Sequence, residues 1–266
     1  MKLIFALHPR CGSSVLSAAL SCGCGIQVAG EPFHPFGNSQ WAEKHETQTR
    51  TFEDNYDLLA KANTGLVKHI EWQLNEKDNA ALLDKCDGII CLYRSYFIDF
   101  YISLHMCGTL KTLKDVSFWN FSMRYLMQGS EPESLNVGLE QKDIAKDEYL
   151  YNLYKNEQRP GIDIECMISD SQNPFSFSSL LKKHKQYLDI FKKHNAKIYA
   201  YEDIFNENVE EVFPELVDFL GYEIMNDDWK TILSKDNKIF QPELGKMIPN
   251  FNEVMLLRED LVFDHD

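Results

Sequence analysis

The chain of 266 residues is 44% hydrophobic and carries 41 acidic against 27 basic side chains, a formal net charge of −14. That length and apolar content suit a single domain with a substantial core. The acidity excludes general binding to DNA or RNA, which depends on a basic surface, and no apolar run approaches the roughly 20 residues that span a bilayer.

The N-terminal run, preceded only by Lys2, is too short for a signal peptide. Seven cysteines, an odd number at irregular spacing, point to a reduced, cytoplasmic protein. Five short apolar runs bounded by turn residues read as strands: Leu3–Leu7, Ile26–Ala29, Leu66–Ile70, Gly88–Tyr93 and Lys197–Tyr201. Runs such as "GIICLY" are apolar at every position, which suits strands buried on both faces. Helical spacing separates them, over Ser14–Cys22, Asp78–Asp84, Tyr96–Met106, Val116–Met127, Phe177–His194 and Val209–Leu220. Strands alternating with helices predict an α/β fold: a central, mostly parallel sheet flanked by helices. The chain reads as one domain over 1–266. Two stretches, 35–63 and 129–173, follow no clear pattern and are expected to be acceptor-binding insertions or plain surface helices.

The first strand ends in "HPRCGSSVL". A strand, a Gly/Ser turn and a helix together form an anion-binding arrangement. The first N–H groups of the helix lack intrahelical partners, and its dipole favours negative charge. Gly12 permits close backbone approach, Ser13 and Ser14 add hydroxyls, and Arg10 adds a planar cationic fork. An ordinary strand–helix turn with a serine cap is the plainer alternative. No Gly-Lys pair follows Gly12, so a standard Walker loop is absent. Position 17 is serine, so Cys11 is not followed by the arginine that a Cys-dependent phosphatase needs. The cysteines lack the paired spacing of a zinc site.

"PRCGSSVL" followed by "GEPFHPF" resembles the PAPS-dependent sulfotransferases of the carbohydrate and bacterial types. The resemblance implies a three-layer sandwich like that of P-loop kinases. It also implies a first loop (Arg10, Cys11, Gly12, Ser13, Ser14, Val15) that holds the 5′-phosphosulfate of PAPS (3′-phosphoadenosine-5′-phosphosulfate). Cys11 stands where serine is more usual. The family's second motif, a strand-end arginine and a helix serine gripping the 3′-phosphate, is matched by Arg94 and Ser103 with Asp99 between. "TGLVKHI" resembles the family's strand ending near a lysine and places Lys68 near the site. "AYEDIFN" and "KMIPNFNEV" resemble later segments of the family.

The activity implied is sulfuryl transfer from PAPS to a hydroxyl on a carbohydrate or small metabolite, with no metal required. Arg10 and Lys68 would stabilise the leaving bisphosphate. Glu31, at a strand end before Pro32, is the expected base, with His34 as runner-up and His8 also open. A non-catalytic bisphosphate-binding protein and a degenerate small-molecule kinase are the alternatives. The expected partners are a small-molecule or carbohydrate acceptor, with no nucleic acid and no membrane span.

Overall fold

The structure is a computed structural model, and it describes residues 1–35, 40–62, 64–114, 161–205, 208–233 and 248–263. In chain order the elements are β1 (Lys2–Ala6), α1 (Ser13–Cys24), β2 (Val28–Gly30), α2 (Gln40–His45), α3 (Phe52–Lys61), β3 (Leu66–Ile70), α4 (Glu76–Asp84) and β4 (Gly88–Tyr93). They continue with α5 (Phe97–Lys114), α6 (Ile164–Ser169), α7 (Phe177–Lys193), β5 (Lys197–Ala200), α8 (Tyr201–Ile204), α9 (Val209–Phe219), α10 (Asp228–Leu233) and α11 (Phe251–Met255). Short 3₁₀ turns lie at Thr47–Thr49 and Glu71–Gln73. The expected helix at Val116–Met127 and residues 129–160 of the second patternless stretch lie outside the described residues. No helix among the described residues is long and apolar enough to cross a membrane.

All five expected strands form one parallel sheet in the order β2-β3-β1-β4-β5, flanked by helices in an α/β three-layer arrangement. Each central strand is buried along almost its whole length, which is why β1 and β4 run largely apolar without alternation, while β3 buries Lys68 and His69 inside its run. Strand alternation still decides which helix each residue meets. Phe5 lies beside His69 in register, and both lie on the face where Phe5 packs against Tyr187 and Phe191 of α7. Ile4 lies beside Lys68 on the opposite face, where Lys68 reaches Ser14 of α1.

Two boundaries differ from the sequence reading for local reasons. The first helix runs on to Cys24 and ends on Gly25 at φ 64, so the second strand starts only at Val28. The fifth strand stops at Ala200 because the Asp203 carboxylate accepts the Ala200 N–H at 2.9 Å and starts α8. Residues 40–62 of the first patternless stretch fold as α2, a 3₁₀ turn and α3.

By packing, the chain divides into two compact units. The first comprises Met1–Ser95, Lys182–Lys235 and Asp264–Asp266, and it contains the whole sheet. The second comprises Tyr96–Leu181 and Asp236–Phe263. Its core is aromatic, with Phe97 contacting Phe100, Tyr101, Phe177 and Phe263. Within it, Asn250 closes on Ile162 by two hydrogen bonds, at 2.9 and 2.8 Å.

Candidate functional site

The turn after β1 is built from left-handed backbone. Arg10 has φ 68 and Gly12 φ 80. At Gly12 the conformation and the space both demand glycine, because a Cβ there would come within 2.4 Å of the Phe205 ring and 2.8 Å of Tyr201. Tyr201 and Phe205 stack at 4.4 Å and pack against the turn. Gly12 also serves as the N-cap of α1, with no side chain capping the first N–H groups, and its carbonyl accepts the Leu16 N–H at 3.0 Å. Ser13 is buried; Ser14 and Val15 are half-buried. Burial pushes the Cys11 thiol up to about 11, so it is an inert packing group and not a nucleophile.

Glu31, a second non-glycine residue in the left-handed region at φ 50, follows β2 directly. Its N–H donates to the Lys68 carbonyl at 2.8 Å. Strained backbone of this kind tends to gather at functional sites, where the surrounding structure holds it in place. The Glu31 and Lys68 side chains form an ion pair, each only 4% exposed. Lys68 Nζ also donates to Ser14 Oγ at 2.9 Å, and Gln73 Nε2 donates to the other Glu31 oxygen at 2.6 Å. Gln73 is itself fixed, since its Oε1 accepts the Ile70 N–H at 3.1 Å. Burial alone would raise the Glu31 pKa. The Lys68 ammonium and the donated hydrogen bonds outweigh it and hold the carboxyl below its ordinary range.

His34 is buried next to this cluster, edge-on to Trp72 at 5.2 Å, and its backbone N–H donates to the Glu31 carbonyl at 3.1 Å. Burial lowers its pKa, with the Glu31 charge opposing. His8 has a different role. Its Nδ1 lies 2.9 Å from the Pro9 carbonyl, and its Nε2 accepts the Arg94 N–H at 3.2 Å. That pattern fixes the neutral tautomer and occupies the lone pair that a base would need. Burial drives its pKa down to about 4.

Arg94 leaves β4 half-buried. Its guanidinium lies over the Tyr201 ring at 4.3 Å and 3.8 Å from the Glu202 carboxylate. Glu202 also accepts the Ser95 N–H at 3.0 Å. The first unit therefore brings Arg10–Val15, Glu31, His34 and Arg94, which follow the ends of neighbouring parallel strands, together with Lys68 from within β3 and the start of α1, at the edge where ligands of such sheets bind. Ser103 belongs to the second unit, buried on α5. Asp99 in that unit forms a two-pronged pair with Arg258, at 3.0 Å on each oxygen, and Arg258 covers the Tyr96 ring.

Sequence reasoning did not single out Gln73, Tyr201, Glu202 or Phe205 as site residues. The one available signal was the "YEDIF" segment itself, whose aromatic and acidic residues now prove to touch Gly12 and Arg94. No protein-family model, no curated protein and no solved structure matches this chain.

Proposed function

We propose that this protein is a PAPS-dependent sulfotransferase that moves a sulfuryl group to a hydroxyl acceptor. The observation that carries the reading is the buried Lys68, which links Ser14 at the start of α1 to the Glu31 carboxylate. One cation thus joins an anion-binding turn to a carboxylate base. The left-handed turn and the uncapped N-terminus of α1 supply N–H donors for the 5′-phosphosulfate. Arg94 is the cation for the 3′-phosphate.

In the reaction, the acceptor oxygen attacks sulfur in line as the bond from sulfur to the bridging phosphate oxygen breaks. The acceptor proton passes to Glu31, and the electron pair stays with the bisphosphate. Lys68 serves both ends. As it turns from Glu31 toward the bridging oxygen, it stabilises the leaving group. It also removes the charge that holds Glu31 below its ordinary pKa, so the carboxylate becomes a stronger base when it is needed.

A second reading has one observation in its favour. The lowered pKa and full engagement of Glu31 suit a purely structural carboxylate. The protein would then bind 3′,5′-bisphosphate nucleotides without chemistry.

Calorimetry without metal decides the donor question. Adenosine 3′,5′-bisphosphate should bind at micromolar strength and AMP far more weakly, and Arg94→Ala should remove that difference. Equal binding of both nucleotides would end the proposal. Glu31→Gln should leave donor binding nearly intact while lowering turnover by ~10²-fold or more. A protein that binds the bisphosphate but never turns over any acceptor is the second reading.

A further inference from the structure

Gly30, the last residue of β2, has no reason in the fold itself to be glycine. Its φ lies outside the left-handed region, and a Cβ added there would meet nothing within 4 Å. The pairing of β2 with β3 runs unbroken through it, so no bulge calls for it either. Every other glycine whose surroundings are described has a left-handed φ or would press a Cβ to within 3.0 Å of a neighbouring side chain. Glycine weakens a strand, because it loses the most backbone freedom on folding and brings no side chain to pack. A strand glycine without bulge, bend or close protein neighbour marks a place where a ligand approaches the backbone.

The position of the open space identifies the ligand group. Gly30 lies beside Lys68 in the parallel register, so a side chain at 30 would stand on the same face of the sheet as Lys68, the face where Lys68 reaches α1. Lys68 Nζ meets Ser14 Oγ in the first turn of α1 on one side and the Glu31 carboxylate on the other. Lys68 and Glu31 are buried, whereas Gly30 and Ser14 beside them are half-buried, so a ligand meets the pair across these two residues. In the transfer proposed above, sulfur lies in line between a phosphate at the start of α1 and an acceptor oxygen at Glu31. That line follows Lys68 and passes over Gly30. A trigonal SO3 group is about as bulky as the branched side chain of valine, and glycine at 30 leaves that room free.

We infer that the space over Gly30 receives the sulfuryl group of the donor, and that Gly30 is a specificity-determining residue which lets the site hold the sulfated nucleotide as well as its bisphosphate product. This role rests on the sulfotransferase reading above.

The test is calorimetry with PAPS and with adenosine 3′,5′-bisphosphate, which lacks the sulfuryl group, on wild type, Gly30→Ala and Gly30→Val, beside thermal melts of all three. Both variants should melt at or above the wild-type Tm, since the new side chain displaces nothing and the strand loses its least favourable residue. Gly30→Val should bind the bisphosphate within about twofold of wild type but PAPS about tenfold or more weakly, with Gly30→Ala in between. Equal PAPS affinity in wild type and Gly30→Val, or equal loss of both nucleotides, would overturn the role of Gly30 and leave the sulfotransferase reading standing. A lower Tm in Gly30→Ala would overturn it too, because the fold itself would then need the glycine. A wild-type protein that binds neither nucleotide ends the sulfotransferase reading, and the role of Gly30 with it.

Discussion

Lys68 is the residue on which most of the site depends. Its ammonium is buried with Glu31, and each of the two charges is tolerable only because the other is present. Lys68→Met should destabilise the protein by about 3–5 kcal/mol, because it strands an ionised carboxylate in the core. The double variant Lys68→Met/Glu31→Gln should recover most of that loss. Chemical denaturation of the three variants checks the cycle, and simple additivity would show that the pair is not coupled. Two histidines make a separate prediction. His8 and His69 are both buried and held near pKa 4, chiefly by desolvation. Both rings stay neutral in the fold, while the unfolded chain takes up protons below about pH 6.5. Their contribution to stability is therefore complete above that pH and is lost as pH falls toward 4. A shift of that size corresponds to roughly 3 kcal/mol per histidine. Relief of the −14 net charge acts in the opposite direction, so the direct check is NMR of the imidazole rings. Those of His8 and His69 should remain neutral in native protein at pH 5.5, and protonation of either there would contradict its assigned environment.

At the scale of elements, the helix start at Gly12 and the cap at Thr51 lead to contrasting expectations. Thr51 accepts the Asp54 N–H at 3.1 Å and caps α3 by an ordinary side-chain bond. Thr51→Ala should cost about 1 kcal/mol and should not affect nucleotide binding. Gly12 makes no such bond; it is required because backbone, Phe205 and Tyr201 leave no room for a methyl group. Gly12→Ala combines left-handed strain of about 1 kcal/mol or more with a clash that must push the stacked aromatic pair away. It should lower Tm more than Thr51→Ala and should disturb the turn proposed to hold phosphate. Thermal melts and bisphosphate titration of the two variants separate these effects. A Gly12→Ala protein with unchanged melting and binding would remove the turn from the site.

At the scale of the molecule, the sheet order and the charge balance set different limits. The order β2-β3-β1-β4-β5 puts β1 and β3 side by side at the centre. The turn after β1, the Glu31 turn after β2 and Lys68 of β3 thereby meet within one unit. The net charge of −14 confines recognition of anions to such local clusters. Gel-shift assays at physiological salt should therefore show no affinity for duplex DNA, and binding there would reveal a basic surface that the composition gives no reason to expect.

All five strands were readable from the sequence, because the interior strands β1 and β4 form short, largely apolar runs buried on both faces, and the rest are short runs bounded by turn residues. The Gly/Ser turn was readable too, since its chemistry is contiguous in the chain. Pairings between distant residues were not readable. Lys68 meets Ser14 across 54 positions and Gln73 meets Glu31 across 42. No periodicity encodes which side chain of one strand faces which residue of another element. The same holds for His8, open as a base in the sequence until the fold placed the Arg94 N–H on its Nε2, and for Thr47 and Asn55, ordinary polar residues until packing buried them and joined the Asn55 amide to the Thr47 carbonyl. The sequence alone determined which segments are strands and where a Gly/Ser turn joins the first strand to a helix, because those properties depend on neighbours along the chain. Which carboxylate is paired, which histidine is occupied and which polar residues are buried were decided only by tertiary structure. Burial and hydrogen-bond partnership are properties of residues brought together from far apart.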